Sequence, residues 1–272
     1  MSAGARDPIG LIAGSGLLPL MFAEAASRAG LRVVAAAHEE ETDRALESHA
    51  EVTWVRLGQL GRILDAFAAA GVKRAVFAGG IRKVRFLGPG AARPDARGVR
   101  LLAGLRRFGD DSLLRAIAAA FEQEGVEIVA PTDYLADCLA PRGPLGNRAL
   151  TSAQRADVEV GVKAARALGD ADVGQTVVVR KGVVVAVEAA EGTDACIARG
   201  AALAGPGCVV VKRAKPRQDL RFDVPAVGPG TIASLAAARA SALAIEAGRT
   251  VVIDRAGLSR DADKARIAVV GT

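Results

Sequence analysis

The sequence predicts an α/β protein, with a mostly parallel sheet carrying helices on its faces in the first half and a second α/β domain after it. Three observations predict this. Short β-type runs alternate with helical ones through the first half, the rhythm of a parallel sheet joined by crossover helices. Runs such as VVAAA at 33–37 and AVFA at 75–78 are apolar throughout, as strands buried on both faces are. At 140–147, APRGPLGN places two Pro and two Gly within eight positions and reads as a linker. Residues 1–136 are thus expected to form the N-terminal domain, 137–148 the linker and 149–272 the C-terminal domain.

The elements follow in order. Strand 9–13 leads into helix 17–29, with Pro19 in the first turn, where a missing N–H costs little. Strands 32–36 and 52–57, helix 60–70 and strand 74–78 come next. A Gly-, Arg- and Pro-rich stretch spans 79–97, before helices 99–107 and 112–124 and strand 126–130. In the second half a helix at 152–168 precedes TVVVRKGVVVAVE, a hairpin turning at Lys181–Gly182. Helix 194–203, strand 208–212, helix 232–246, strand 250–254 and a terminal αβ piece complete the chain.

Hydrophobic residues make up 51% of the 272 positions and aromatics 3%, so the core is aliphatic. No apolar run reaches the roughly 18 residues of a spanning helix. Gly14 and Gly16 break the apolar stretch near the start, which is no signal peptide, and a cytosolic protein is expected. Cys138, Cys196 and Cys208 have no CxxC spacing and read as buried small residues. The net charge of +6 favours anionic partners. With one Trp and one Tyr there is no row of stacking platforms, so nucleic acid is not expected as a partner. A phosphate-bearing substrate or an anionic membrane surface fits better.

Four segments could carry chemistry. Gly14-Ser15-Gly16 lies between a strand and a helix, where backbone N–H groups can approach an anion, although the third glycine of the dinucleotide fingerprint is absent. Gly109-Asp110-Asp111 precedes a helix; one Asp can serve as its cap, and a second beside it suggests a bound cation or basic ligand. Glu191-Gly192-Thr193-Asp194 joins the hairpin to a helix, which Thr193 could cap, or delivers a carboxylate and a hydroxyl to a polar site. The richest segment is KRAKPRQDLRFDVP at 212–225. If extended, it turns Gln218, Leu220 and Phe222 one way and Asp219, Arg221 and Asp223 the other. Two carboxylates on one face can share a divalent cation, and the alternating bases can hold phosphate oxygens. Gly228, Gly230 and Thr231 then open a helix as a second anion-binding N-terminus.

His38 and His49 are the only histidines, too few for a His-rich two-metal centre. There is no G-x-S-x-G elbow and no complete P-loop. Carboxylates with an oxygen-bound metal remain. Mg²⁺ suits phosphate chemistry with few protein ligands, with Mn²⁺ as the alternative. Its work would be to activate water and neutralise phosphoryl charge.

GSGLLP, GDDSLL, DVGQ at 172–175, EGTD at 191–194 and KRAKPRQDLRFDVPAVGPGT at 212–231 occur in the order found in one enzyme family. The chain resembles the UDP-2,3-diacylglucosamine diphosphatases that some Gram-negative bacteria use in lipid A synthesis, the form unrelated to calcineurin-like phosphoesterases. The resemblance implies a Rossmann-like N-terminal domain, a C-terminal domain of uncommon fold and a ligand cleft between them. It implies a homodimer, and magnesium-dependent attack of water on the α-phosphorus, giving UMP and 2,3-diacylglucosamine 1-phosphate. The family's catalytic acid maps to Asp219 or Asp223, which are also the expected metal ligands. Lys212, Lys215 and Arg221 would stabilise developing charge. Gln175, Gln218, Thr193 and Asp194 would contact substrate, as would Gly14, Ser15, Gly16, Gly80, Arg82, Asp110, Asp111 and Thr231. The enzyme is expected in the cytoplasm, peripherally at the inner membrane. Two other readings stand beside this one: an NAD(P)-dependent oxidoreductase built on the Gly-rich first turn, and a non-catalytic binder of lipid or nucleotide.

Overall fold

A computed structural model of the chain describes residues 7–80, 93–104, 110–216, 218–222 and 224–272, with the side chains of 110–112 excluded. Arg82, Asp223 and the carboxylates of Asp110 and Asp111 therefore lie outside the described residues. The chain forms two units, Met1–Leu135 with Leu220–Phe222, and Ala136–Asp219 with Asp223–Thr272. Both are α/β, as the alternation of strands and helices predicts.

The first unit is a five-stranded parallel sheet. Its strands are β1 (Pro8–Ala13), β2 (Arg32–His38), β3 (Glu51–Val55), β4 (Arg74–Ala78) and β5 (Glu127–Ile128). They lie in the order β3-β2-β1-β4-β5, so the chain reverses direction across the sheet between β1 and β4. That reversal creates a switch point at the carboxyl ends of those two strands, the usual ligand position in such sheets. Helices α1 (Leu18–Arg28), α2 (Leu60–Ala70), α3 (Ala96–Ala103) and α4 (Asp110–Gln123) accompany it. The α2 helix buries Leu60, Ile63, Leu64 and Phe67 at helical spacing and ends at Gly71, whose φ of 73° is a left-handed C-terminal stop.

Few aromatics are present, and four of them line up in this unit. Phe67 lies 5.8 Å from Phe121, Phe121 6.3 Å from Phe77, and Phe77 5.7 Å from Phe222, all ring to ring. Helix α3 begins three residues earlier than its apolar spacing suggests, because Asp95 caps it by accepting from Gly98 N at 2.8 Å. The same carboxylate accepts from Gly61 N in α2 at 2.7 Å.

The second unit holds a six-stranded mixed sheet. Its strands are β6 (Gly143–Pro144), β7 (Thr176–Arg180), β8 (Val183–Val187), β9 (Val209–Lys212), β11 (Ala242–Ile245) and β13 (Ala268–Gly271), in the order β6-β13-β11-β9-β7-β8. β13, β11 and β9 are parallel, and the outer strands are antiparallel to their neighbours. A separate pair joins β10 (Ala226–Val227) to β12 (Val251–Val252). Helix α5 (Ser152–Asp170) covers the face built from Val177, Val179, Val209 and Val211. Helices α6 (Thr193–Ala204), α7 (Pro229–Ala237) and α8 (Arg255–Lys264) cover the other, built from Val178, Val210 and Leu243. Side chains of alternate strand residues thus fill two cores. The hairpin turns at Lys181 and Gly182, both at positive φ, and Asp157 on α5 accepts from their N–H groups at 3.1 and 2.6 Å.

Three expectations need correction. The expected helix 232–246 is two elements. α7 ends where Arg239 turns left-handed at φ 51°, and Ala242–Ile245 becomes a fully buried central strand. An alanine-rich run suits either structure; burial on both faces selects the strand. The segment 218–222 is not extended. The Gln218 side chain accepts from Lys215 N at 2.8 Å and its own N–H donates to Lys215 O at 3.0 Å, which closes a turn around Pro216. Residues 137–148, read as a linker, are packed into the second unit. Gly143–Pro144 pairs with β13 as an edge strand, where proline is tolerated, and Ala140 N donates to Thr250 O at 2.8 Å.

Candidate functional site

Each unit places sequence-predicted residues at the carboxyl ends of its parallel strands. In the first, the Gly14 loop and the Gly79–Gly80 loop are joined by main chain. Gly14 N donates to Ala78 O at 2.8 Å, Ser15 N to Gly80 O at 2.7 Å, and Gly80 N to Ser15 O at 3.2 Å. The Ser15 hydroxyl also donates to Gly80 O, at 2.8 Å. A Cβ on Gly14 would fall 2.4 Å from Gly80 O, so glycine is required here for close approach. The donors of Ser15 are thus engaged within the protein. Helix α1 opens after Leu17 with no side-chain cap.

His38 supports this edge from below. Its Nδ1 lies 2.9 Å from Ala13 O, and Thr42 Oγ1 donates to the same oxygen at 2.7 Å. A carbonyl can only accept, so Nδ1 carries the proton. Burial holds the His38 pKa below its usual value, against smaller opposing effects of the Ala13 hydrogen bond and Glu41. Sequence reading missed this role. Its signal was a histidine ending a buried strand in step with the core.

In the second unit the polar residues gather where β7 begins and β8 and β9 end. The Thr193 hydroxyl, at the start of α6, donates to Glu188 Oε1 at 3.0 Å and lies 3.3 Å from Thr176 Oγ1. Thr193 has one hydroxyl proton and gives it to Glu188, so Thr176 donates to Thr193. Toward a ligand Thr193 can only accept, which suits a sugar hydroxyl rather than a phosphate oxygen. It does not cap α6; Gly192, at φ 84°, holds that position. Glu188 is 7% exposed, and its Oε2 has no hydrogen-bond partner among the described residues. It too was missed by sequence reading, although a carboxylate ending the run VVVAV in core register was a visible signal.

Glu191 serves the turn. It accepts from Ala189 N at 3.0 Å and pairs with Arg199, which also donates to Val187 O at 2.8 Å. Its own backbone N–H and then Arg199 hold its carboxyl below the usual range. Asp194 is exposed in the first turn of α6, where a negative charge suits the helix N-terminus.

Lys212 lies opposite Thr176 in the ladder, is 8% exposed, and donates to Ala226 O at 3.1 Å. The loop after it is anchored at its base. Arg213 pairs with Glu246 at 2.8 Å, and the other oxygen of Glu246 accepts from Ala214 N at 3.0 Å. Lys215 pairs with Asp172 of the DVGQ block at 2.6 Å. Gln175 of that block is bonded through its carbonyl to Arg213 N at 2.9 Å, while its Oε1 is buried without a hydrogen-bond partner among the described residues. Arg221 belongs to the first unit, 3.5 Å from Glu122 and with its guanidinium 5.0 Å from the Phe222 ring centroid. Asp219 ends the described stretch of the loop in the second unit and is half-buried. Thr231, in the first turn of α7, accepts from Gly228 N at 3.3 Å.

No cluster of three or more His, Cys, Asp or Glu able to hold a metal occurs among the described residues. Mg²⁺ needs only one or two protein carboxylates, with water and phosphate oxygens for the rest. The oxygen donors present, with Glu188 Oε2 buried and unsatisfied, suit such a hard cation. Thiol chemistry is disfavoured: burial pushes the Cys196 pKa up to about 11.

Comparison with known proteins agrees with this picture. The family model described as LpxI N-terminal domain matches residues 8–138, and that described as LpxI C-terminal domain matches 141–270. A protein of Caulobacter vibrioides named UDP-2,3-diacylglucosamine pyrophosphatase LpxI is 36% identical, over 97% of this chain and 96% of that one. The matched segments contain the GSG, EGTD and QDLRFDVP blocks and span both units, and the chain belongs to the LpxI family.

Proposed function

We propose that this chain hydrolyses UDP-2,3-diacylglucosamine at its diphosphate, in lipid A biosynthesis. The observation that carries this is the 36% identity to a named pyrophosphatase of that substrate across 97% of the chain. The site chemistry supports it. The carboxyl edge of the second sheet brings cations, carboxylates and hydroxyls together, while the one described thiol with a strongly shifted pKa is held protonated.

Water attacks the α-phosphorus, and the bond from that phosphorus to the bridging oxygen breaks. The water oxygen stays on UMP, and 2,3-diacylglucosamine 1-phosphate leaves. Asp219 or Asp223 orients the water and takes its proton. Lys212, fixed at the end of β9, offsets charge growing on the phosphoryl oxygens. Lys215 and Arg221 add to this by turning from Asp172 and Glu122 toward the diphosphate. Thr193 accepts a hydrogen bond from a sugar hydroxyl, and Asp194 and Gln218 help to orient the sugar. Mg²⁺ or Mn²⁺, held by Asp219 and Asp223, supplies Lewis-acid neutralisation of phosphate charge when bound. The first unit is Rossmann-like, and its Gly14–Gly16 turn, held against Gly80, lies at the switch point where such sheets take a nucleotide.

No described helix is long and apolar enough to cross a membrane. A homodimer working at the inner face of the inner membrane, through peripheral contact, fits a substrate with two acyl chains. The test is incubation with UDP-2,3-diacylglucosamine, with and without EDTA, scored for UMP. Release of UMP that EDTA abolishes is expected; recovery of intact substrate with Mg²⁺ present would overturn the assignment.

A further inference from the structure

Glu188 combines three features that together point to a ligand. Its backbone is fixed in the sheet, with its N–H donating to Thr176 O at 2.8 Å. One carboxylate oxygen, Oε1, is held by the Thr193 hydroxyl at 3.0 Å, which Thr176 braces in turn. The other, Oε2, is buried with no hydrogen-bond partner among the described residues, on a side chain only 7% exposed. A buried carboxylate oxygen left bare costs stability in the free protein, and an unsatisfied buried group calls for an occupant.

We propose that Glu188 Oε2, presented at the end of the hairpin, is a ligand of a divalent cation. The inference rests on the hydrolase reading above. An oxygen gripped by an outer hydroxyl while its twin stays open is the arrangement in which proteins present carboxylates to metals. The donor is a hard oxygen, which selects Mg²⁺ or Mn²⁺ over thiophilic ions, and Cys196, buried within α6, offers no competing thiolate. A purely structural Glu188 would need only Oε1, to hold Thr193. Substitution by glutamine separates the two roles, because the amide keeps an acceptor for Thr193 and places a donor where Oε2 was.

The experiment titrates Mn²⁺ into the full chain with UMP present, reading free Mn²⁺ by electron paramagnetic resonance. Glu188→Gln weakens Mn²⁺ binding on the order of a hundredfold and Thr193→Val about tenfold, as loss of a ligand and of its outer support do. Glu159→Gln, on the exposed face of α5, binds like wild type. Without Mn²⁺, Glu188→Gln melts at the wild-type temperature or above it. Wild-type Mn²⁺ affinity in folded Glu188→Gln overturns the proposal, as does absence of Mn²⁺ binding by the wild type. Should Glu188→Gln fail to fold, Thr193→Val decides, and unchanged affinity there overturns it equally. Hydrolysis by the wild type is scored separately. A wild type that turns substrate over beside a Glu188→Gln variant with normal Mn²⁺ affinity removes this inference and leaves the activity standing.

Discussion

The carboxyl edges of the two sheets are built from different materials. In the first unit, β1 and β4 are followed by glycines, and their loops are tied by peptide groups at 2.7 to 3.2 Å. In the second, Thr176 on β7, Glu188 just after β8 and Lys212 on β9 gather, each less than a tenth exposed. A main-chain edge depends little on side-chain chemistry and tolerates no added bulk. A side-chain edge accepts modest changes of volume and fails when one charge or hydroxyl is replaced. The first arrangement suits a part that holds a ligand's shape, the second a part that changes a ligand's bonds.

That contrast can be broken or sharpened by substitution. The largest effect is expected from removing the catalytic carboxylate: Asp219→Ala or Asp223→Ala abolishes UMP release while melting stays near wild type, and full turnover in both variants would move the chemistry elsewhere. Lys212→Met follows, with kcat lowered roughly 10²- to 10³-fold, as for loss of one charge-stabilising donor. Gly14→Val is expected to cost about 3 kcal/mol of stability, because its Cβ must displace a carbonyl rather than a flexible side chain. Denaturant unfolding reads that loss, and a wild-type midpoint would show that the two loops separate freely. Ser15→Ala removes one hydrogen bond to Gly80 O and costs about 1 kcal/mol, with turnover in the folded enzyme within a few-fold of wild type.

A smaller effect concerns pH. The pKa of His38 is lowered from 6.5 in the folded protein, so the unfolded chain binds its proton first as pH falls. The stability tied to neutral His38 is complete above pH 6.5 and is lost as the solution is acidified from there through the folded value. Melting temperature is therefore expected to fall on that side, with a shallower slope in His38→Gln. Equal slopes would mean that burial does not hold the ring neutral in the folded protein.

Much of the fold was legible because its signals are local. The 60–70 helix and the 74–78 strand lie where apolar spacing places them, and Lys181–Gly182 turns as its residues demand. The 232–246 run was misread because alanine fits a helix and a doubly buried strand alike, and only tertiary burial chooses. The site was legible in part. The EGTD block does mark a polar cluster, but its glutamate braces a turn, and the buried acid lies three residues earlier, at Glu188. Spacing alone could not reveal this, since the distinction depends on which face of the sheet each carboxylate enters. The turn around Pro216 was likewise invisible, because it depends on the Gln218 amide folding back onto the main chain.

The cysteines have a practical consequence. Cys196 and Cys208 are at most 1% exposed, whereas Cys138 is partly accessible, in a short turn of the second unit. A maleimide dye at neutral pH should therefore attach to Cys138 alone, giving a single fluorescent reporter on an otherwise native protein. Such a label would let unfolding of the second unit be followed without introducing any new attachment point.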